Sequence, residues 1–160
     1  MIDSGFGEYQ NSIFNDFGEM IDELKNRDAF INKEAFFNFS YTPYPDEYDL
    51  IFKTAWDLGN LTILLEESDR FDETIPSFLE IIVRGRHKGV SIIAVAPHPY
   101  NFPKDLRRQL TDIISFRQTE ESDLDYLSDA MGPEIYKVRD FPVGSHNRLE
   151  WKAGEGVKFY

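Results

Sequence analysis

The segment Leu61–Phe71, LTILLEESDRF, constrains the fold of this chain more than any other. Leu61, Thr62, Ile63, Leu64 and Leu65 have strand character and run straight into two adjacent carboxylates, Glu66 and Glu67. Strands that are apolar along their whole length belong to parallel sheets covered on both faces. Ligands of such sheets bind beyond the carboxyl ends of the strands, where these acids would sit. Adjacent acids at a strand end suit a division of labour, one supporting a divalent cation and the other polarising a water. The plainer reading is a core strand that surfaces at an acidic loop, and the pattern alone leaves both open.

The rest of the chain alternates strand and helix signals. Ile2–Gly5 reads as the end of a strand and a glycine turn. Ile13, Phe14, Phe17, Met20, Ile21 and Leu24 recur at helical spacing. Ala35–Tyr41 reads as a strand, and Asp46 as the cap of a helix carrying Tyr48, Ile51, Phe52, Ala55 and Trp56 that ends at Gly59–Asn60. After Leu61–Leu65 comes a helix from Pro76 to Arg86, stopped near Gly89, and a second apolar strand, Val90–Val95. Pro97, Pro99 and Pro103 forbid regular structure until a short helix, Lys104–Leu110. Ile113–Phe116 reads as a third core strand, Ser122–Met131 as a helix ended by Gly132–Pro133, and Arg148–Tyr160 as a hairpin around Ala153–Gly156. This order predicts an α/β fold of right-handed βαβ units around a parallel sheet. No repeat or linker divides it, so a single domain is expected over 1–160, with 142–160 as a C-terminal extension.

Composition excludes several classes. Acids outnumber bases 29 to 17, for a net charge of −12, which argues against a broad nucleic-acid-binding face because phosphate contacts need clustered Lys and Arg. A motor that grips DNA through a few pore loops in a ring is still compatible. With no cysteine, disulfide frameworks and thiolate metal sites are ruled out. No apolar run approaches the ~20 residues of a membrane span, and the N-terminus lacks a signal-peptide pattern. A cytoplasmic protein with no membrane partner is the expectation.

The order of motifs resembles the HerA/FtsK-like branch of P-loop ATPases, the DNA-pumping and packaging motors, over roughly Ile2 to Phe141. IDSGFGEY resembles that family's second strand and turn. LTILLEESDRF resembles its Walker B strand. Arg84-Gly-Arg86-His87-Lys88-Gly89-Val90-Ser91 resembles its Gly-Arg-His-x-Gly-Val-Ser segment and is the most specific match. Pro99, Pro103 and Asp105 resemble the Thr-Gln-Arg-Pro loop and following helix, and FRQTEESDLDYL resembles the family's Phe-Arg-x-Thr close.

The departures are equally informative. No G-x-x-x-x-G-K-[ST] occurs in the 160 residues. That loop, with its strand and helix, should precede Ile2; its backbone N–H groups and lysine cradle the phosphates. Glu66 stands where the family usually has Asp, Ala96–Pro97 where it has a polar Thr-Gln pair, and His98 where it has an arginine. The missing first strand lies inside the family's sheet, so its absence leaves two neighbours with unpaired backbone groups. Met1 followed directly by Ile-Asp suggests a boundary inside the second strand, and we read the chain as truncated at that point, with an evolved P-loop-free domain as the alternative.

On this resemblance Glu67 is the candidate to polarise the attacking water, and Glu66 the candidate magnesium-associated acid, directly or through water. Arg86 and Arg84 are candidate arginine fingers for a neighbour's γ-phosphate; their plainer role is to complement a helix dipole. His87, His98 and His146 are too scattered for a metal centre, and Asp69, Asp72 and Glu73 read as a solvated loop. ATP and Mg2+ are implied cofactors, although binding by this chain alone is doubtful; a homo-oligomeric ring and duplex DNA are implied partners. The rival reading is a non-catalytic interaction or regulatory protein on an ATPase-derived fold.

Overall fold

A computed structural model describes residues 10–13, 16–26, 37–40, 44–68, 74–102 and 104–160. The expected strand and turn at Ile2–Gly5 and the acids Asp69, Asp72 and Glu73 lie outside the described residues. The architecture is α/β, with parallel strand pairs and flanking helices, as a RecA-like core requires.

Strand β1 (Gln10–Ile13) pairs in parallel with β2 (Phe37–Ser40). Helix α1 (Phe17–Asn26) separates them in sequence. Ile13 therefore belongs to a strand, not to the helix that its spacing suggested. Asp16 decides the boundary: its Oδ1 accepts the Glu19 N–H at 3.0 Å, starting the helix at Phe17. Asp46 does not cap the next helix either. It lies within a 3-10 turn, Pro45–Glu47, and Glu47 reaches back to accept the Tyr44 N–H at 2.8 Å. Helix α2 (Tyr48–Leu58) follows and ends at Gly59, as the sequence indicated.

The central unit is β3 (Leu61–Leu65), α3 (Pro76–Arg84) and β4 (Val90–Ala94), with β3 and β4 parallel and Leu61 opposite Val90. One face of this pair carries Leu61, Ile63 and Leu65 beside Val90, Ile92 and Ala94, packed under α2, α3 and Leu106 of α4 (Lys104–Arg108). Phe52 and Phe78 stack at the centre of that core with ring centroids 4.7 Å apart.

A second core forms where α5 (Glu121–Met131) and a 3-10 segment, Pro133–Asp140, cover a three-stranded sheet. Here β5 (Asp112–Ser115) pairs antiparallel with β6 (Leu149–Lys152), which pairs antiparallel with β7 (Gly156–Phe159). The C-terminal hairpin is where the sequence placed it. Its partner is the new fact: β5 bonds to the hairpin, with Ile113 and Ser115 opposite the inward-facing Trp151 and Leu149. No described helix is long and apolar enough to cross a membrane.

Candidate functional site

At the carboxyl end of β3 the backbone turns at once. Glu66 and Glu67 form the turn, both exposed, and Glu67 adopts a left-handed conformation at φ 50°. Such a conformation costs a non-glycine residue of order 1–3 kcal/mol and persists only where its surroundings enforce it. The next residue, Ser68, is firmly anchored. It is fully buried, and both its N–H and its hydroxyl donate to the Val95 carbonyl at 2.9 Å. The Val95 N–H in turn donates to the Leu65 carbonyl at 2.9 Å. The acidic turn is thereby fastened to the end of β4.

The neighbouring strand ends in Val95-Ala96-Pro97-His98-Pro99. The Pro97 carbonyl accepts the Gln118 side-chain amide at 3.3 Å, tying the segment after β4 to the one after β5. His98 Nδ1 lies 3.2 Å from Asp123 Oδ2, and the Tyr100 N–H donates to Asp123 Oδ1 at 3.0 Å. Asp123 is 1% exposed, whereas the His98 side chain is 56% exposed.

Arg84 and Arg86 stand at the opposite edge of the strand pair. Arg84 closes α3 and donates to Glu80 Oε1 at 3.0 Å in an exposed i,i+4 pair. Arg86 lies in the 3-10 turn Gly85–Lys88, is exposed, and has no ion pair among the described residues. It precedes Val90 at the start of β4, while Glu66 follows Leu65 at the end of β3. The strand between them is about 16 Å long at ~3.3 Å per residue. The fold does not bring these arginines to the acids within one chain.

The glycines around Arg86 have a packing explanation. Gly89 has φ 69°, and a Cβ there would stand 2.3 Å from Asn60 Oδ1. Asn60 donates its N–H to the Lys88 carbonyl at 2.8 Å, so this corner joins the start of β3 to the start of β4. Lys88 Nζ lies 5.5 Å over the Trp56 ring.

Among the described residues, nothing covers the second face of β3 and β4. Leu64, its register partner Ile93, and Val95 project from it, and the same alternation leaves Ile114 and Phe116 uncovered at β5. These five side chains are 54–59% exposed. Parallel sheets ordinarily carry helices on both faces. Among the described residues, no strand pairs with the second edge of β4 or of β5.

No group of three or more potential metal-ligating side chains occurs among the described residues. Two carboxylates with no third ligand could hold a divalent ion only if it kept most of its own waters, as magnesium does at nucleotide sites. They do not form a cage.

Solved structures carry the same architecture. The genome packaging NTPase B204 of Sulfolobus turreted icosahedral virus 2, in complex with AMPPCP, superposes with a TM-score of 0.67 at 17% identity, over 98% of this chain and 74% of that one. Its complex with ATP-γS gives 0.64 at 17%, over 77% and 66%. B204 of Sulfolobus turreted icosahedral virus, described as a DNA-packaging ATPase, gives 0.62 at 18%, again over 77% and 66%. The chain has the fold of these packaging NTPases. In the last two superpositions it spans 66% of B204, just under two thirds. No protein-family model and no curated protein matches the sequence.

Within the packaging-NTPase fold, Glu66 and Glu67 occupy the carboxyl edge, as the apolar run ending in acids implied. Sequence reasoning did not single out Ser68 or the His98–Asp123 pair. Nothing short-range marks Ser68, whose acceptor is 27 residues away, and Asp123 is 25 residues from His98. The proline-flanked position of His98 after an apolar strand was the one available signal.

Proposed function

We propose that this chain is the water-activating part of a RecA-like ATPase of the DNA-translocating or packaging type, truncated or degenerate in that it lacks a phosphate-binding loop. The observation that carries this reading is the placement of Glu66 and Glu67 at the carboxyl edge of a parallel strand pair in a chain with a packaging-NTPase fold. In a complete site Glu67 accepts the proton of a water as its oxygen attacks the γ-phosphorus and the bond to the β-phosphate oxygen breaks. Glu66 holds magnesium, directly or through water, and the ion when bound neutralises phosphate charge. Arg86, with Arg84 as the lesser candidate, acts on the neighbouring subunit of a homo-oligomeric ring, consistent with its distance from the acids of its own chain. Duplex DNA is the moved substrate. The P-loop strand and helix come from polypeptide outside these 160 residues, and the bare rows Leu64, Ile93, Val95, Ile114 and Phe116 are the surface they cover.

One feature favours the rival reading of a non-catalytic interaction protein: Ala96 and Pro97 offer no polar side-chain atom at the end of β4. Extending the chain by the coding sequence upstream of Met1 and measuring Mg·ATP hydrolysis, with and without duplex DNA, separates the two. Turnover that needs Glu67 supports the ATPase. A full-length product that is inert, or carries no phosphate-binding loop, supports the interaction protein.

A further inference from the structure

We propose that Ser68 is a positioning residue for Glu67, holding it out of the β3 ladder as a bulge that presents its carboxylate at the carboxyl edge. This role rests on the ATPase reading of that edge, in which Glu67 activates the water, and names the group that sets where Glu67 stands.

The register decides it. In a parallel ladder a residue donates its N–H to the residue before its partner and accepts from the residue after it. Leu65 lies opposite Ala94, so Glu66 falls opposite Val95. The Val95 N–H follows the pattern and donates to the Leu65 carbonyl at 2.9 Å. The Val95 carbonyl should then accept from Glu67. It accepts from Ser68 instead, at 2.9 Å. One extra residue, Glu67, is inserted between two successive bonds to Val95, and its φ of 50° is the backbone signature of the insertion. Bulges of this kind interrupt the ladder, bend the strand and re-aim a side chain, and they gather next to active sites.

Side-chain chemistry explains why the insertion falls there. Residues of a strand alternate between faces, so a regular continuation of β3 would carry Glu67 to the side of Ile63 and Leu65, against the core under α2 and α3. Burying an ionised carboxylate there without a partner is costly. With the insertion, Ser68 takes the inner place. It is fully buried, and its hydroxyl donates to the same Val95 carbonyl at 2.9 Å. An ionised carboxylate, which can only accept, could not make that bond. Glu66 and Glu67 remain exposed. The hydroxyl therefore favours the bulged register over the regular one.

Ser68→Ala removes that preference with little damage to the fold, because the Val95 carbonyl keeps the backbone N–H of residue 68 and no buried polar group loses its partner. In the 160-residue chain, NMR couplings across hydrogen bonds identify the donor to the Val95 carbonyl, and the coupling of the Glu67 amide to its Hα reads φ. Ser68 should be the donor. In Ser68→Ala the Glu67 N–H should replace it in a measurable fraction of molecules. A Glu67 donor in the unsubstituted chain, or a bulge that Ser68→Ala leaves whole, would overturn the proposal. The second measurement uses the protein extended by the coding sequence upstream of Met1. There Ser68→Ala should lower kcat for Mg·ATP hydrolysis about 10–100-fold, the scale of loss for a reacting group displaced by ~1 Å, with KM nearly unchanged. In a Glu67→Gln background the same substitution should cost little more, since residues that act as a unit do not add. An equal loss in both backgrounds, or no loss in either, overturns the role of Ser68 and leaves the ATPase reading standing. An extended protein without turnover, or one that Glu67→Gln leaves fully active, overturns both.

Discussion

Glu67 holds a left-handed backbone at the end of β3, next to Ser68, which is fastened to Val95. That arrangement fixes what substitution should do. In a longer form carrying a P-loop, Glu67→Gln keeps the shape of the turn and removes the base. We expect nucleotide binding to persist and hydrolysis to fall at least ~100-fold, the low end for general-base contributions; single-turnover kinetics would measure it, and unchanged turnover would remove Glu67 from the mechanism. Arg86 is exposed, unpaired among the described residues, and a strand length away from the acids of its own chain. In the same longer form Arg86→Ala should lose most turnover with nucleotide affinity nearly intact, since a finger acts mainly on the transition state. Mixing Arg86→Ala with Glu67→Gln subunits should restore part of the activity, because some interfaces then have both groups. No recovery in confirmed mixed assemblies would leave Arg86 as a helix-end residue. The acids were legible in the sequence because they are contiguous with a strand. Ser68 and Asp123 were not, because their partners lie 27 and 25 residues away.

At the level of elements, α3 starts at Pro76, where the sequence placed it, but the side chain that caps it comes from another helix. Its N-cap, Ile75, has no acceptor side chain, and Pro76 opens the first turn. Asp49, from α2, fills the vacancy: its carboxylate accepts the Ser77 N–H at 3.1 Å and the Ser77 hydroxyl at 2.7 Å. Those bonds hold the Asp49 carboxyl below its ordinary value of 3.8. The stabilisation is therefore present above the unfolded-state value and is lost as pH falls through the folded-state value. Asp49→Ala should cost of order 1 kcal/mol near neutral pH, the usual worth of a helix N-terminal acceptor. The deficit should shrink in acid below the carboxylate range, as paired urea melts would reveal. Phe78 is fully buried against Phe52, so Phe78→Ala should cost about 3–5 kcal/mol. Against the 5–15 kcal/mol typical of a whole domain, that loss should lower Tm steeply or leave the chain unfolded. Strands β3 and β4, and helices α2, α3 and α5, were readable because apolar period and end signals agreed. Ile13 was misread because its helical spacing to Phe17 coincides with a strand end, and Asp16 overrides the period with a cap. The partner of β5 was not readable, since an apolar run does not say which strand it joins.

At the scale of the whole molecule, the described residues form two packed cores and leave one sheet face uncovered. The exposed rows on β3, β4 and β5 mean that the described residues bury less than their strands could. The same incompleteness sets the nucleotide affinity. A triphosphate carries several negative charges, and the chain it meets has a net charge of −12. At the carboxyl edge the recognisable acids, Glu66 and Glu67, repel it, and the sequence contains no P-loop lysine or glycine-rich amide cradle. Magnesium would have to bridge the acids to the phosphates, and it sheds water reluctantly for so few protein ligands. We therefore expect Mg·ATP to bind these residues with a Kd in the millimolar range or weaker, about −4 kcal/mol or less favourable. Titration calorimetry on the purified chain would measure it. A micromolar Kd would mean that another segment has assumed the role of the phosphate cradle, and a truncated P-loop would then no longer be the reading to prefer.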